Sequence, residues 1–166
     1  MTTVCAPVIA FQSLSFCLGL DISKARIDAC LLMGSRARHA QFDNSTAGLK
    51  KLRAWCANHN APTVPVVLEA TGCYGELAAH ELHSAGHPVH LANPRRIKDH
   101  GRSLGLRNKT DPADAALIAS FGSTRSLPLW QPPAPQQQKL RSLLRRLKDL
   151  ETSAVLNSIA LSPAEI

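Results

Sequence analysis

From Ser15 onward the chain gathers its apolar residues into short runs: Phe16 to Ile22, Ile27 to Met33 and Arg38 to Phe42. Their lengths suit strands, and Gly34-Ser35 is a turn signal between the second and third, so the three are expected to form an antiparallel meander. Leu49, Leu52, Trp55 and Cys56 then recur at helical spacing behind the cap-like Asn44-Ser45. Val64 to Leu68 is almost wholly apolar and rich in β-branched residues, the pattern of a buried parallel strand, and Glu69 closes it. Helical spacing returns from Tyr74 to Ala85, Gly86-His87-Pro88 ends it, and Val89 to Ala92 forms another short strand. Strand, helix and strand in that order suit a right-handed crossover.

Asn93-Pro94 opens a basic segment, and Asp111 to Phe121 reads as a helix ending at Gly122. Pro128, Pro132, Pro133 and Pro135 mark an extended linker. Beyond it Leu140, Leu143, Leu144, Leu147 and Leu150 form the apolar stripe of a helix, with Lys139, Arg141, Arg145, Arg146 and Lys148 on its other faces. Such a helix exposes its leucines unless a partner covers them. The expected organisation is a leader over 1–14, an α/β domain over 15–125, a linker over 126–138, and a coiled-coil helix with its tail over 139–166. Three antiparallel strands, a helix and a crossover to two parallel strands is the order of the ribonuclease H-like mixed sheet.

A length of 166 residues suits one hydrophobic core. Aromatics make up only 4% of it, which weighs against a platform that stacks many splayed bases. The net charge of +7 is unevenly spread: residues 95–148 hold twelve Lys and Arg against three acidic residues. A block so one-sided is the footprint of a polyanion partner, a solvated face being the plain alternative. The five cysteines have no metal-type pairing, which suits reduced thiols in the cytoplasm. The opening twenty residues lack basic residues and are interrupted by Pro7, Gln12 and Ser13, so neither a signal peptide nor a membrane span is expected.

Four acids stand out by position. Asp21 lies within the first apolar run, in Gly19-Leu20-Asp21-Ile22-Ser23-Lys24, and Glu69 ends the parallel strand, in Leu68-Glu69-Ala70-Thr71-Gly72-Cys73-Tyr74. Strand C-termini in open α/β sheets are where ligand sites gather. Asp111 and Asp114, in Lys109-Thr110-Asp111-Pro112-Ala113-Asp114-Ala115, have a good structural account as an N-cap and an early helical acid. Their spacing also turns both carboxylates toward one side of the helix start. In a ribonuclease H-like fold the four converge, and carboxylates so crowded call for hard cations such as Mg²⁺ or Mn²⁺. Two such ions about 4 Å apart serve phosphodiester chemistry.

These segments, with Asn93-Pro94-Arg95, resemble the DEDD transposases, insertion-sequence enzymes related to the pilin-gene inverting recombinases. The likeness runs from about Cys17 to about Leu150. It implies that Asp21, Glu69, Asp111 and Asp114 hold the divalent metals in a RuvC-like fold resembling that of Holliday-junction resolvases. It implies that the leucine-striped helix joins a coiled coil, and that the partners are DNA and a structured RNA encoded by the element. It also implies a second, C-terminal domain that supplies a serine nucleophile. No serine here takes that role, and the chain ends at Ile166, so it is expected not to complete recombination alone.

Lys24, Arg95, Arg96, Lys98, Arg102, Arg107 and Lys109 are the expected contacts to phosphate, giving position rather than sequence. His80, His83, His87 and His90 form a loose cluster that lacks the companions of a zinc site and fits helix surface and loop better. Thr71-Gly72 reads as a strand-to-helix turn with Thr71 as N-cap. The leading function is metal-dependent DNA strand cleavage and transfer. The alternative is a non-catalytic fragment of a decayed or truncated transposase that binds nucleic acid and dimerises. An actin-like sugar kinase, suggested by Gly19-Leu20-Asp21, ranks last because no later Gly-rich loop follows.

Overall fold

The computed structural model describes residues 16–70, 73–105 and 111–134, together with 136–137, 139–140, 143–144, 146–147 and 150–153. The expected leader, the Thr71-Gly72 turn, Arg107 and Lys109 lie outside the described residues. The chain divides into two compact units, Met1–Trp130 and Gln131–Ile166.

The first unit holds a five-stranded sheet in the order β3-β2-β1-β4-β5. β1 (Phe16–Ile22), β2 (Arg26–Met33) and β3 (Arg36–Asp43) form the antiparallel meander, while β4 (Val66–Glu69) runs parallel to β1, and β5 (Val89–Ala92) parallel to β4. The expected ribonuclease H-like order is the observed one. Gly34 and Ser35 alone join β2 to β3, since Met33 pairs with Arg36. Gly34 has a φ of 60°, as the first residue of a tight hairpin turn needs. β4 starts later than the apolar run because Pro65 has no N–H for the ladder; its carbonyl still accepts from Leu18 N–H at 2.8 Å.

The two faces of the sheet bury different helices. Leu18 and Leu20 face a core shared with Leu49, Leu52 and Cys56 of α1 (Thr46–Asn58) and Ala78, Ala79 and Leu82 of α2 (Glu76–Ser84). Cys17 and Val67 face the other way, onto Ile97 of α3 (Pro94–Ser103) and Ile118 and Phe121 of α4 (Asp111–Ser123). Ser45 caps α1 as expected, its hydroxyl accepting from Gly48 N–H. Gly75 holds the N-cap position of α2, so the helix begins at Glu76, later than the Tyr74 start that its spacing suggests.

The basic segment after Asn93 is a helix, α3, that apolar periodicity does not reveal because Ile97 is its one buried aliphatic residue. Its signal is Asn93, whose side-chain oxygen accepts from Arg95 N–H at 2.8 Å, followed by Pro94 at the first helical position. Gly122 does not stop α4, which continues to Ser123. A Cβ there would stand 2.5 Å from Val67 Cγ2 and 2.8 Å from Cys17 Sγ, so the glycine serves close packing on the sheet rather than helix termination.

Of the expected linker, 126–134 has no regular secondary structure while 136–137 are already helical, so the helix starts earlier than the expected 139; the first part of the linker is held on the domain. Leu127 packs against the α3–α4 core, and Trp130 N–H donates to Val89 O at 2.7 Å along the edge of β5. The histidine cluster belongs to this strap. His80 and His83 meet the Trp130 ring edge-on, with centroids at 5.0 and 5.6 Å, and His90 Nδ1 lies 3.0 Å from Pro128 O. His87 is buried against Val64, and burial lowers its pKa. Cys17, Cys30 and Cys56 are buried free thiols, pushed up to about 12, 11 and 12 by desolvation. Among the described residues no helix is long and apolar enough to cross a membrane. In the second unit the described residues from 136 to 153 are helical, and the five stripe leucines are each 54–59% exposed.

Candidate metal and nucleic-acid site

Strand alternation fixes where the first two acids stand. On β1, Cys17 and Gly19 face α4, so Asp21, two residues on, lies on that face. On β4, Val67 faces α4, and Glu69 follows two residues later. Leu20 pairs with Leu68, so Asp21 and Glu69 occupy neighbouring positions at the C-terminal ends of adjacent parallel strands. Both are partly buried and both have further interactions within the protein.

The third element arrives through close packing. Gly19 lies so near α4 that a Cβ on it would stand 2.3 Å from both Ala115 O and Ala119 N. The far end of α4, at Gly122, lies against Cys17 and Val67. The helix therefore runs opposite to β1 and brings its first turn toward the strand ends that bear Asp21 and Glu69. Asp114 precedes Ile118 by one turn and shares its side of the helix. Asp111 is the first residue of α4, one turn before Ala115; its side chain lies outside the described part. Among the described residues no three His, Cys, Asp or Glu side chains stand close enough together to share a metal ion.

Two further residues shape the site. Asp28 pairs directly with Asp21 across the β1–β2 ladder, adding a carboxylate to the row, and Gln41 Nε2 donates to its Oδ1 at 2.8 Å. Asn44 Nδ2 donates to Ser23 O at 2.9 Å and to Tyr74 O at 3.0 Å, tying together the loops that follow the two strand ends. In the sequence Asn44 reads only as part of a helix cap. Its signal for this role is long-range and exists only once the sheet has formed.

The basic residues spread over several surfaces. Lys24 is exposed in the loop after β1. Arg95, Lys98 and Arg102 recur at helical spacing on the outer side of α3, opposite Ile97 and Gly101, and Arg102 pairs with Asp99 at 3.0 Å. Arg96 is exposed and lies 5.8 Å from the centre of the Phe121 ring. Arg125, which no sequence motif singles out, lies 5.9 Å from the same centre. His100, under this cluster, is lowered by burial and then by the Arg125 charge.

The sheet order with acids at the ends of its first and fourth strands defines a ribonuclease H-like domain with a carboxylate-bearing edge. The model of the DEDD transposase family of the IS110 type, described as "Transposase", matches residues 18–161. The pilin gene-inverting proteins of Moraxella bovis and Moraxella lacunata are each 38% identical to this chain over 131 residues, which is 78% of it. The chain belongs to this transposase family. It spans 41% of the length of those curated relatives. Among solved structures, RuvC of T. thermophilus in complex with a Holliday junction substrate is similar at 16% identity and a TM-score of 0.46, covering 66% of this chain and 92% of that one.

Proposed function

We propose that this chain is the carboxylate-bearing domain of an insertion-sequence DNA transposase, in which Asp21, Glu69, Asp111 and Asp114 hold divalent cations, two Mg²⁺ or Mn²⁺, for cleavage and transfer of DNA strands. The observation that carries the reading is the placement of Asp21 and Glu69 side by side at the ends of β1 and β4, toward the first turn of α4. Adjacent strands are about 4.8 Å apart, so a cation between the two carboxylates would gain from both like charges at once. Their hard oxygen donors fit Mg²⁺ or Mn²⁺. When bound, such ions supply activation of a nucleophile and stabilisation of a leaving oxygen. The chain's own contribution is to fix the acids on three elements that pack rigidly against one another.

Family membership supports DNA as the substrate, and the names of the Moraxella relatives support a DNA-rearranging role. In this reading Lys24, Arg95, Arg96, Lys98 and Arg102, with Arg107 and Lys109, hold phosphates of DNA or of an element-encoded structured RNA. The leucine stripe from Leu140 to Leu150 pairs with a second copy. In the same reading the serine nucleophile is supplied by a second domain, and residues 1–166 by themselves bind and assemble without completing recombination.

The test is metal-dependent stability. A ligand at about one hundred times its Kd adds about 2.7 kcal/mol to native stability. For a chain of this size that is a rise in Tm on the order of 5–10 °C with Mn²⁺. Asp21→Asn should remove most of the rise, and a variant with all four carboxylates changed to carboxamides should remove all of it. Equal shifts in wild type and the fourfold variant would refute the assignment.

A further inference from the structure

We propose that the cleft beside the carboxylate row is a subsite for a guanine base of the bound nucleic-acid strand, read by Asp28 and Gln41. The inference rests on the nucleic-acid reading above and adds a base preference to it. Gln41 pairs with Asp28 on β2, and Asp28 pairs with Asp21 on β1. The three side chains therefore stand in line on one face of the sheet. α4 packs over β1, β2 and β4, and β3 leaves His39 and Gln41 exposed beside it. The result is a cleft of about 280 Å³ lined by Asp28, Ala29, His39, Ala40, Gln41 and Ala115. That is small for a ligand pocket and suits a single base better than a duplex.

The polar groups select the base. An ionised carboxylate only accepts hydrogen bonds, so Gln41 turns its amide nitrogen to Asp28 Oδ1, leaving its own carbonyl oxygen as an acceptor. The second oxygen of Asp28 has no hydrogen-bond partner among the described residues. Two neighbouring acceptors want two neighbouring donors. Guanine presents that pair on its Watson–Crick edge, N1–H beside the exocyclic amine. Adenine and cytosine set an acceptor nitrogen next to their amine, and thymine or uracil has one N–H between two carbonyls. The exposed His39 ring at the rim offers a flat surface for the base. Because Asp28 stands directly across from Asp21, the base belongs to the nucleotide adjoining the phosphate at the acids.

The test is fluorescence anisotropy with the full 166-residue chain at low salt, using short single strands. Oligothymidylate is compared with the same strand carrying one guanine, and a uridylate pair repeats the comparison in RNA. One guanine should tighten binding roughly 5- to 100-fold, the range of a good bidentate base contact. Inosine, which lacks the exocyclic amine, should recover only part of the gain. Asp28→Asn and Gln41→Leu should each abolish the guanine advantage, read within each variant as the ratio of its affinities for the strands with and without guanine. An advantage in only the DNA or only the RNA arm supports the subsite and identifies the strand it serves. Equal affinities with and without guanine in both arms, or an advantage that survives in both variants, overturns the proposal. Absence of binding to every strand overturns the nucleic-acid reading beneath it, an outcome distinct from loss of base preference alone.

Discussion

Adding one methyl group at Gly19 should loosen the helix on which half of the acids stand. An alanine Cβ there would lie 2.3 Å from Ala115 O, 2.3 Å from Ala119 N and 2.8 Å from Ala119 Cα. All three are backbone atoms, so no rotamer change relieves the clash. Ordinary van der Waals separation needs more than about 1 Å of additional space, and α4 must lift from the sheet to provide it. That lift weakens the packing of Ile118 and Phe121 on Cys17 and Val67. Overpacked cores are destabilised by typically about 1–3 kcal/mol, and a clash with backbone belongs at the upper end, about 3 kcal/mol. The expected fall in Tm is on the order of 10 °C. Gly75→Ala is the control, because its Cβ meets only Leu68 Cδ1 at 3.7 Å and its φ of −82° suits any residue. Thermal melts with and without Mn²⁺ separate the two effects: Gly19→Ala should lose stability and also lose metal response, while Gly75→Ala should keep both. A Gly19→Ala protein melting within about 2 °C of wild type, with its metal response intact, refutes the argument that this close approach positions α4.

Replacing Arg95, Arg96 and Lys98 by Ala should flatten the dependence of log affinity on log salt by about one for each phosphate no longer neutralised; an unchanged slope makes the outer face of α3 a solvated surface. Burial lowers the pKa of His87 from its ordinary 6.5, so the unfolded chain takes up the proton first as pH falls below that value. Stability should therefore decline from about pH 6.5 downward toward the folded-state pKa, and urea titrations of His87→Gln should show a shallower decline. Leu143→Asp with Leu147→Asp should convert an associated species into a monomer by light scattering while the Mn²⁺-induced rise in Tm survives; an unchanged mass rejects the leucine stripe as the interface.

What the sequence made legible was whatever depends on neighbours along the chain. The strands show in their apolar runs, the hairpin in Gly34-Ser35, and the acids in their places at element ends. What it hid depends on packing between distant residues. Gly122 carries the ordinary mark of a helix stop, yet its lack of a side chain is used against Val67 and Cys17 from two different strands. α3 has too little buried apolar surface to show an apolar stripe, and its signals are the Asn93-Pro94 start and the helical spacing of Arg95, Lys98 and Arg102. Asp28 illustrates the point most directly. Along the chain it is one acid inside an apolar run, seven residues beyond Asp21. Across the ladder it is the partner of Asp21, since an antiparallel register brings together residues that lie equally far on either side of the turn. A like charge placed directly opposite destabilises a strand pair, and here Gln41 donates to Asp28 while Asp21 has further interactions within the protein. On the proposed reading, a cation at Asp21 and base donors at Asp28 would each relieve that repulsion, and this would join the proposed metal site to the cleft beside it.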